Sequence, residues 1–169
     1  MALLGATQNS FAQATEVLAR LCLVEVCPTS ARAATEDLGV VLHTHAEALI
    51  AQAAGAQLPP VAATSAPPRM YLSMDGVLAH MHDAGWKEIK TGCVSTTRTR
   101  VPRKRPEMVA IHAEAQSYVA VLADAETFGW HLWAEACRRG MTSTSELVVI
   151  GDGAHGIWNL ANDHFPTAT

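Results

Sequence analysis

Four consecutive aliphatic residues, Leu147-Val148-Val149-Ile150, followed by Gly151-Asp152-Gly153, constrain this chain more than any other stretch. A run that is apolar at every position suits a strand buried on both faces, and such strands belong to sheets with helices packed on them. The run ends on an aspartate set between glycines, so the strand would deliver a carboxylate at its C-terminal end. Tyr71-Leu72-Ser73-Met74-Asp75-Gly76-Val77 has a similar plan. An Asp-Gly pair among alternating residues is also a hairpin-turn signal. However, Asp83-Ala84-Gly85 supplies a turn at a better spacing. That leaves Asp75 inside a strand, where Asp is otherwise disfavoured. Two buried strands that each present a carboxylate, Asp75 and Asp152, could hold divalent metal between them.

The remaining elements follow from periodicity. Asn9 or Ser10 can cap a helix in which Phe11, Ala14, Val17, Leu18, Leu21 and Cys22 recur at spacings of three and four. Pro28-Thr29-Ser30 interrupts that pattern, and Ser30 is the expected cap of a second helix. Ala34, Leu38, Val41, Leu42, His45 and Leu49 share a face of that helix, which is predicted to end near Gly55. Pro59-Pro60 and Pro67-Pro68 mark an extended linker. The expected organisation is a helical domain over 1–57, helix-turn-helix-like in outline, a linker over 58–69 and a third region over 70–169.

In that third region, 70–82 and 86–95 alternate as two antiparallel strands, and Arg98–Pro106, broken by prolines, reads as a loop. Ser117–Leu122 is a third strand, Asp124 caps a helix through Arg139, Glu146–Ile150 is the fourth strand, and Gly156–His164 is helical. This order defines an α/β fold in which a crossover makes the fourth strand parallel to an earlier one. The tryptophans Trp130, Trp133 and Trp158 are expected in the core.

Charge is unevenly spread. From Gly85 to Arg105 there are seven basic residues against the single acid Glu88, whereas Met1–Ala66 carries two arginines against five acids. The first stretch suits a polyanion, and the acidic surface of the helical domain gains little from phosphates. Hydrophobic residues at 49% and charged residues at 17% exclude a disordered chain. No apolar run approaches the ~20 residues of a membrane span, and the N-terminus lacks the pattern of a signal peptide. A cytoplasmic protein is the expectation. The four cysteines are scattered with no C-x-x-C pair, as expected of free thiols.

Other motifs have competing readings. Gly151-Asp152-Gly153-Ala154-His155-Gly156 satisfies G-x-G-x-x-G between a strand and a helix, so a dinucleotide site is an alternative. That site also needs an acid ~20 residues further on, at the end of a following strand, and thirteen residues follow Gly156. His80 and His82 fall on one face of a strand, with no third zinc ligand at a suitable spacing.

Taken together, Met74-Asp75-Gly76-Val77, Gly85-Trp86-Lys87-Glu88-Ile89-Lys90-Thr91-Gly92, Ser117-Tyr118-Val119-Ala120, Gly151-Asp152-Gly153-Ala154, Ile157-Trp158-Asn159-Leu160 and His164-Phe165-Pro166 resemble the transposases of ISKra-type bacterial insertion sequences. The resemblance implies a DDE enzyme with a ribonuclease H-like mixed sheet in the order 3-2-1-4-5, incomplete in this chain and preceded by a small helical domain. Asp75 and Asp152 would be the first two members of the catalytic triad, binding two Mg²⁺ ions about 3.5–4 Å apart for phosphodiester cleavage and strand transfer. Arg98, Arg100, Arg103, Lys104 and Arg105 would hold DNA phosphates. Implied partners are the element ends and target DNA and a second copy of the chain, in a bacterial cytoplasm at the nucleoid, with no membrane. The family continues past His-Phe-Pro to a further strand and a third acid, so the expectation is a chain truncated at its C-terminus, with an open edge on its fourth strand. The rival expectation is a non-catalytic DNA-binding or dimerising remnant.

Overall fold

The computed structural model describes residues 1–55, 66–81, 83–101 and 109–169, with residue 100 described through its backbone alone. The chain divides into two compact units, Met1–Ala48 and Leu49–Thr169. The expected linker lies outside the described residues as far as position 65.

In the first unit, helices α1 (Ala2–Thr7), α2 (Phe11–Cys22) and the greater part of α3 (Pro28–Ala54) follow one another. Ser10 caps α2, its hydroxyl accepting a hydrogen bond from the Gln13 amide at 3.2 Å, and the apolar stripe of α2 buries Ala14 and Leu18. Two expectations change here. Helix α1 is additional to the two helices expected, and α3 begins at Pro28 instead of after Ser30. Proline suits a first helical turn because its missing N–H has no partner there, and the Cys27 carbonyl accepts from the amides of Ser30 and Ala31 at 3.1 and 3.2 Å. The stripe expected on α3 is exposed at Leu38, Val41 and Leu42.

The second unit is built on one mixed sheet of β1 (Arg69–Met81), β2 (Gly85–Arg100), β3 (Ala110–Val121) and β4 (Glu146–Ile150), in the order β3-β2-β1-β4. β1 pairs antiparallel with β2 and parallel with β4, and β2 pairs antiparallel with β3. The alternation expected of β1 appears as Met70, Leu72 and Met74 buried on one face. They pack with Val94, Leu147 and Val149 against Phe128, Leu132 and Ala136 of α4 (Ala125–Arg138) and Leu160 and Ala161 of α5 (His155–His164). Each large side chain so buried contributes roughly 1.5–3 kcal/mol of apolar transfer. Asp124 caps α4, accepting from the Thr127 amide at 2.8 Å. At the other end of α4, Glu135 is buried and accepts a hydrogen bond from Arg138, while Arg139 donates to Ser117 of β3 at 2.9 Å. These contacts fix the C-terminal turn of α4 to the sheet.

Several sequence expectations are corrected. β2 continues through Arg98, Thr99 and Arg100, and β3 starts at Ala110, so the start of the expected basic loop is strand. The pairing of Thr96–Arg100 with Ala110–Glu114 satisfies backbone groups that a loop would leave to water, and Thr96, Thr97 and Thr99 favour it. An irregularity at Val94/Thr96 shifts the register, and on β3 Ala115 takes a positive φ of 50°. Of the three tryptophans, Trp133 packs against the core, whereas Trp130 and Trp158 are 41% and 40% exposed.

The free edge of β4 is also not wholly open. The Thr169 amide donates to the Leu147 carbonyl and the Val149 amide donates to the Thr169 carbonyl, both at 3.0 Å. One residue bonded to positions two apart on its neighbour is the pattern of a parallel pair. Among the described residues, no helix is long and apolar enough to cross a membrane.

Candidate carboxylate site beside the C-terminal end of β4

The parallel pairing of β1 with β4 ends at Ser73 opposite Ile150. Asp75 lies two residues further on within β1, on the face of Ser73 and opposite the helices because side chains alternate along a strand, and Asp152 lies two residues beyond Ile150, in the turn that leads from β4 into α5. Residues 77 positions apart in the chain thus come together where the parallel pairing ends, Asp75 within β1, which runs on to Met81, and Asp152 just past the C-terminal end of β4. In open α/β sheets ligands bind outside the carboxyl ends of strands, here that of β4. Both aspartates line a cleft of about 360 Å³ that also takes in Gly76, Glu88, Lys90 and Phe128. Both also line a cavity of about 470 Å³ on the open face, beside Ser73, Thr91, Cys93 and Tyr118.

Local hydrogen bonds orient each carboxylate. Asp75 Oδ1 accepts from the Gly76 amide at 2.7 Å, and Thr91, its cross-strand partner, donates its hydroxyl to the Asp75 carbonyl at 3.2 Å. Asp152 Oδ1 accepts from the Ala154 amide at 3.0 Å, which turns the chain into α5. Both side chains remain exposed, so their remaining lone pairs face solvent.

The glycine-rich turn has an explanation within the fold. A Cβ at Gly151 would stand 2.7 Å from Ile157 Cγ2, and Gly153 has a φ of +91°. Close approach of α5 and a left-handed turn therefore account for these two glycines without a dinucleotide.

The other expected residues are not gathered at the carboxylates. Arg98 is exposed on β2, 3.6 Å from Glu114 and opposite His112. It lies seven residues along β2 from Thr91, the partner of Asp75, which at the strand rise is about 23 Å. Of Arg100 only the backbone is described, and Arg103, Lys104 and Arg105 lie outside the described residues. His80 is exposed, its ring edge-on to Trp86 with centroids 5.3 Å apart, and His82 lies outside the described residues.

The structure adds a pair to which no sequence motif assigns a role. Glu88 and Lys90 of β2 line the cleft with the two aspartates, Lys90 Nζ lying 2.6 Å from Glu88 Oε2. Opposite charges two residues apart on a strand share a face, and this was the available signal. Among the described residues, no three His, Cys, Asp or Glu side chains stand close enough together to share a metal ion. The donor set at Asp75 and Asp152 is therefore two hard carboxylates open to water. That fits Mg²⁺, which is commonly bound by one or two carboxylates and keeps several waters.

Comparisons with protein-family models, with curated proteins and with solved structures each find no match.

Proposed function

We propose that this chain carries the first part of the catalytic domain of a DDE transposase, a magnesium-dependent DNA-processing enzyme with a ribonuclease H-like core, with Asp75 and Asp152 as two of its acidic metal ligands. One observation carries the reading: the two aspartates singled out in the sequence lie just beyond the last parallel pair of β1 and β4 and line one cleft. The strand order β3-β2-β1-β4, which agrees with the first four positions implied by the motif resemblance, supports it. Asp75 and Asp152 would hold the ion, Gly76 and Ala154 amides would keep one oxygen of each carboxylate in place, and the cleft that both aspartates line would admit the nucleic acid. Bound there, Mg²⁺ would supply Lewis-acid polarisation of a phosphoryl oxygen and an activated water or hydroxyl.

The test is an NMR titration of the chain with Mn²⁺. Paramagnetic broadening is expected first at the amides of Gly76 and Ala154, with at least about tenfold weaker binding in Asp75→Asn and in Asp152→Asn, since loss of a ligand should cost no less than loss of an outer-shell partner. Broadening centred elsewhere, or unchanged in the two variants, would remove the basis of the proposal.

A second reading, a dimerising protein without catalytic activity, is supported by the exposed Leu38, Val41 and Leu42 on α3. Sedimentation of wild type against Val41→Glu distinguishes it: a dimer that dissociates in the variant, together with no metal site at Asp75, favours this reading.

A further inference from the structure

Position 76 is occupied by the carboxylate of another residue. A Cβ on Gly76 would overlap Glu88 Oε1 and stand 3.1 Å from Glu88 Cδ, so the glycine leaves room for Glu88 to lie across β1. The cross-strand register puts Lys90 directly opposite Gly76 and next to Thr91, the partner of Asp75. Glu88, folded over Gly76, draws the Lys90 ammonium to 2.6 Å, and the lysine side chain is left only 21% exposed. Among the described residues that line the cleft, Lys90 is the cation, set among Asp75, Asp152 and Glu88. Arg98 is too distant along β2 to serve the same position.

An ammonium has three N–H donors, and Glu88 engages one. A solvated lysine would lose much rotamer freedom on binding an anion, whereas this one is already confined by its partner. A cleft lined by three carboxylates repels a polyanion, and a fixed cation at its wall offsets that repulsion at one point.

We infer that Lys90, held by Glu88 across Gly76, is a phosphate-binding residue of the Asp75–Asp152 cleft, taking a non-bridging oxygen of a nucleic-acid phosphodiester beside the carboxylates. This rests on the nucleic-acid reading of the cleft and adds a substrate-binding residue to it. Each phosphate contact made by a lysine steepens the salt dependence of binding by about 0.7–0.9 in log K against log salt.

The experiment measures fluorescence anisotropy of a labelled duplex oligonucleotide with the full chain over a salt series, with and without Mg²⁺, for wild type, Lys90→Gln, Lys90→Arg and Gly76→Ala. Lys90→Gln is expected to flatten the slope by about 0.9, Lys90→Arg to retain it, and Gly76→Ala, which displaces Glu88, to weaken binding although Lys90 is intact. If Lys90→Gln does not melt cooperatively, Lys90→Met, which keeps the aliphatic stem, carries the comparison. A wild-type slope in the charge-removed variant overturns the inference, as does a wild-type chain that does not bind the oligonucleotide. The two proposals fail separately. A flattened slope without any Mn²⁺ site at Asp75 and Asp152 leaves Lys90 as a phosphate contact and removes the metal. A Mn²⁺ site with an unchanged slope keeps the metal and removes Lys90.

Discussion

His164 of α5 stands edge-on to Trp130 of α4, with ring centroids 5.1 Å apart and planes at 86°, and its imidazole occupies the space above Gly129. The packing of α5 on α4 thus depends on a titratable ring. Burial lowers the His164 pKa from its ordinary value, opposed by Asp163 and Glu126. The unfolded chain therefore takes up the proton first as pH falls, so stability associated with neutral His164 is present above about pH 6.5 and is lost between there and the lower folded pKa. The melting temperature of wild type should fall more between pH 7.5 and 5.5 than that of His164→Phe, and parallel falls would show that His164 is not responsible. Gly129→Ala should destabilise by about 1–3 kcal/mol through overpacking against the ring, read by urea denaturation.

The thiols should separate by environment. Burial pushes the Cys137 thiol up to about 11, and Cys93 is also raised by burial, whereas the side chain of Ser30 lowers that of exposed Cys27. Because the thiolate is the reactive form, iodoacetamide at pH 7.5 should label Cys27 first and Cys137 only on unfolding. Mass spectrometry of timed samples reads the order, and early labelling of Cys137 would contradict its placement in α4.

Thr169 covers the edge of β4 through two backbone hydrogen bonds and its hydroxyl, which donates to the Leu147 carbonyl at 3.4 Å, and Ile150 remains 52% exposed. A β-prone edge of that kind pairs readily with another chain. The chain is expected to self-associate with rising concentration, and removal of Thr167–Thr169 should increase this. Light scattering coupled to size exclusion measures both, and an equally monomeric truncated chain would show that Thr169 does not guard the edge.

The sequence by itself determined the local elements wherever period and punctuation agreed. The aliphatic run 147–150 had to be a strand, Phe128, Leu132 and Ala136 had to face a core, and Ser10 and Asp124 were legible as caps, because these features depend on residues within one or two turns. It also marked Asp75 and Asp152 as carboxylates in unusual places. What only the tertiary structure decided was adjacency. Side-chain alternation says which face Asp75 takes but not which strand lies beside it, and the pairing of Ser73 with Ile150 brings the two acids to one cleft. The end of β2 and the start of β3 are illegible in the sequence for the same reason: Thr96–Arg100 has no strong periodic signal, and it is a strand because Ala110–Glu114 lies alongside to satisfy its backbone. Glu88 was one acid in a basic stretch until Gly76, opposite Lys90 on the neighbouring strand, left a space that its carboxylate fills.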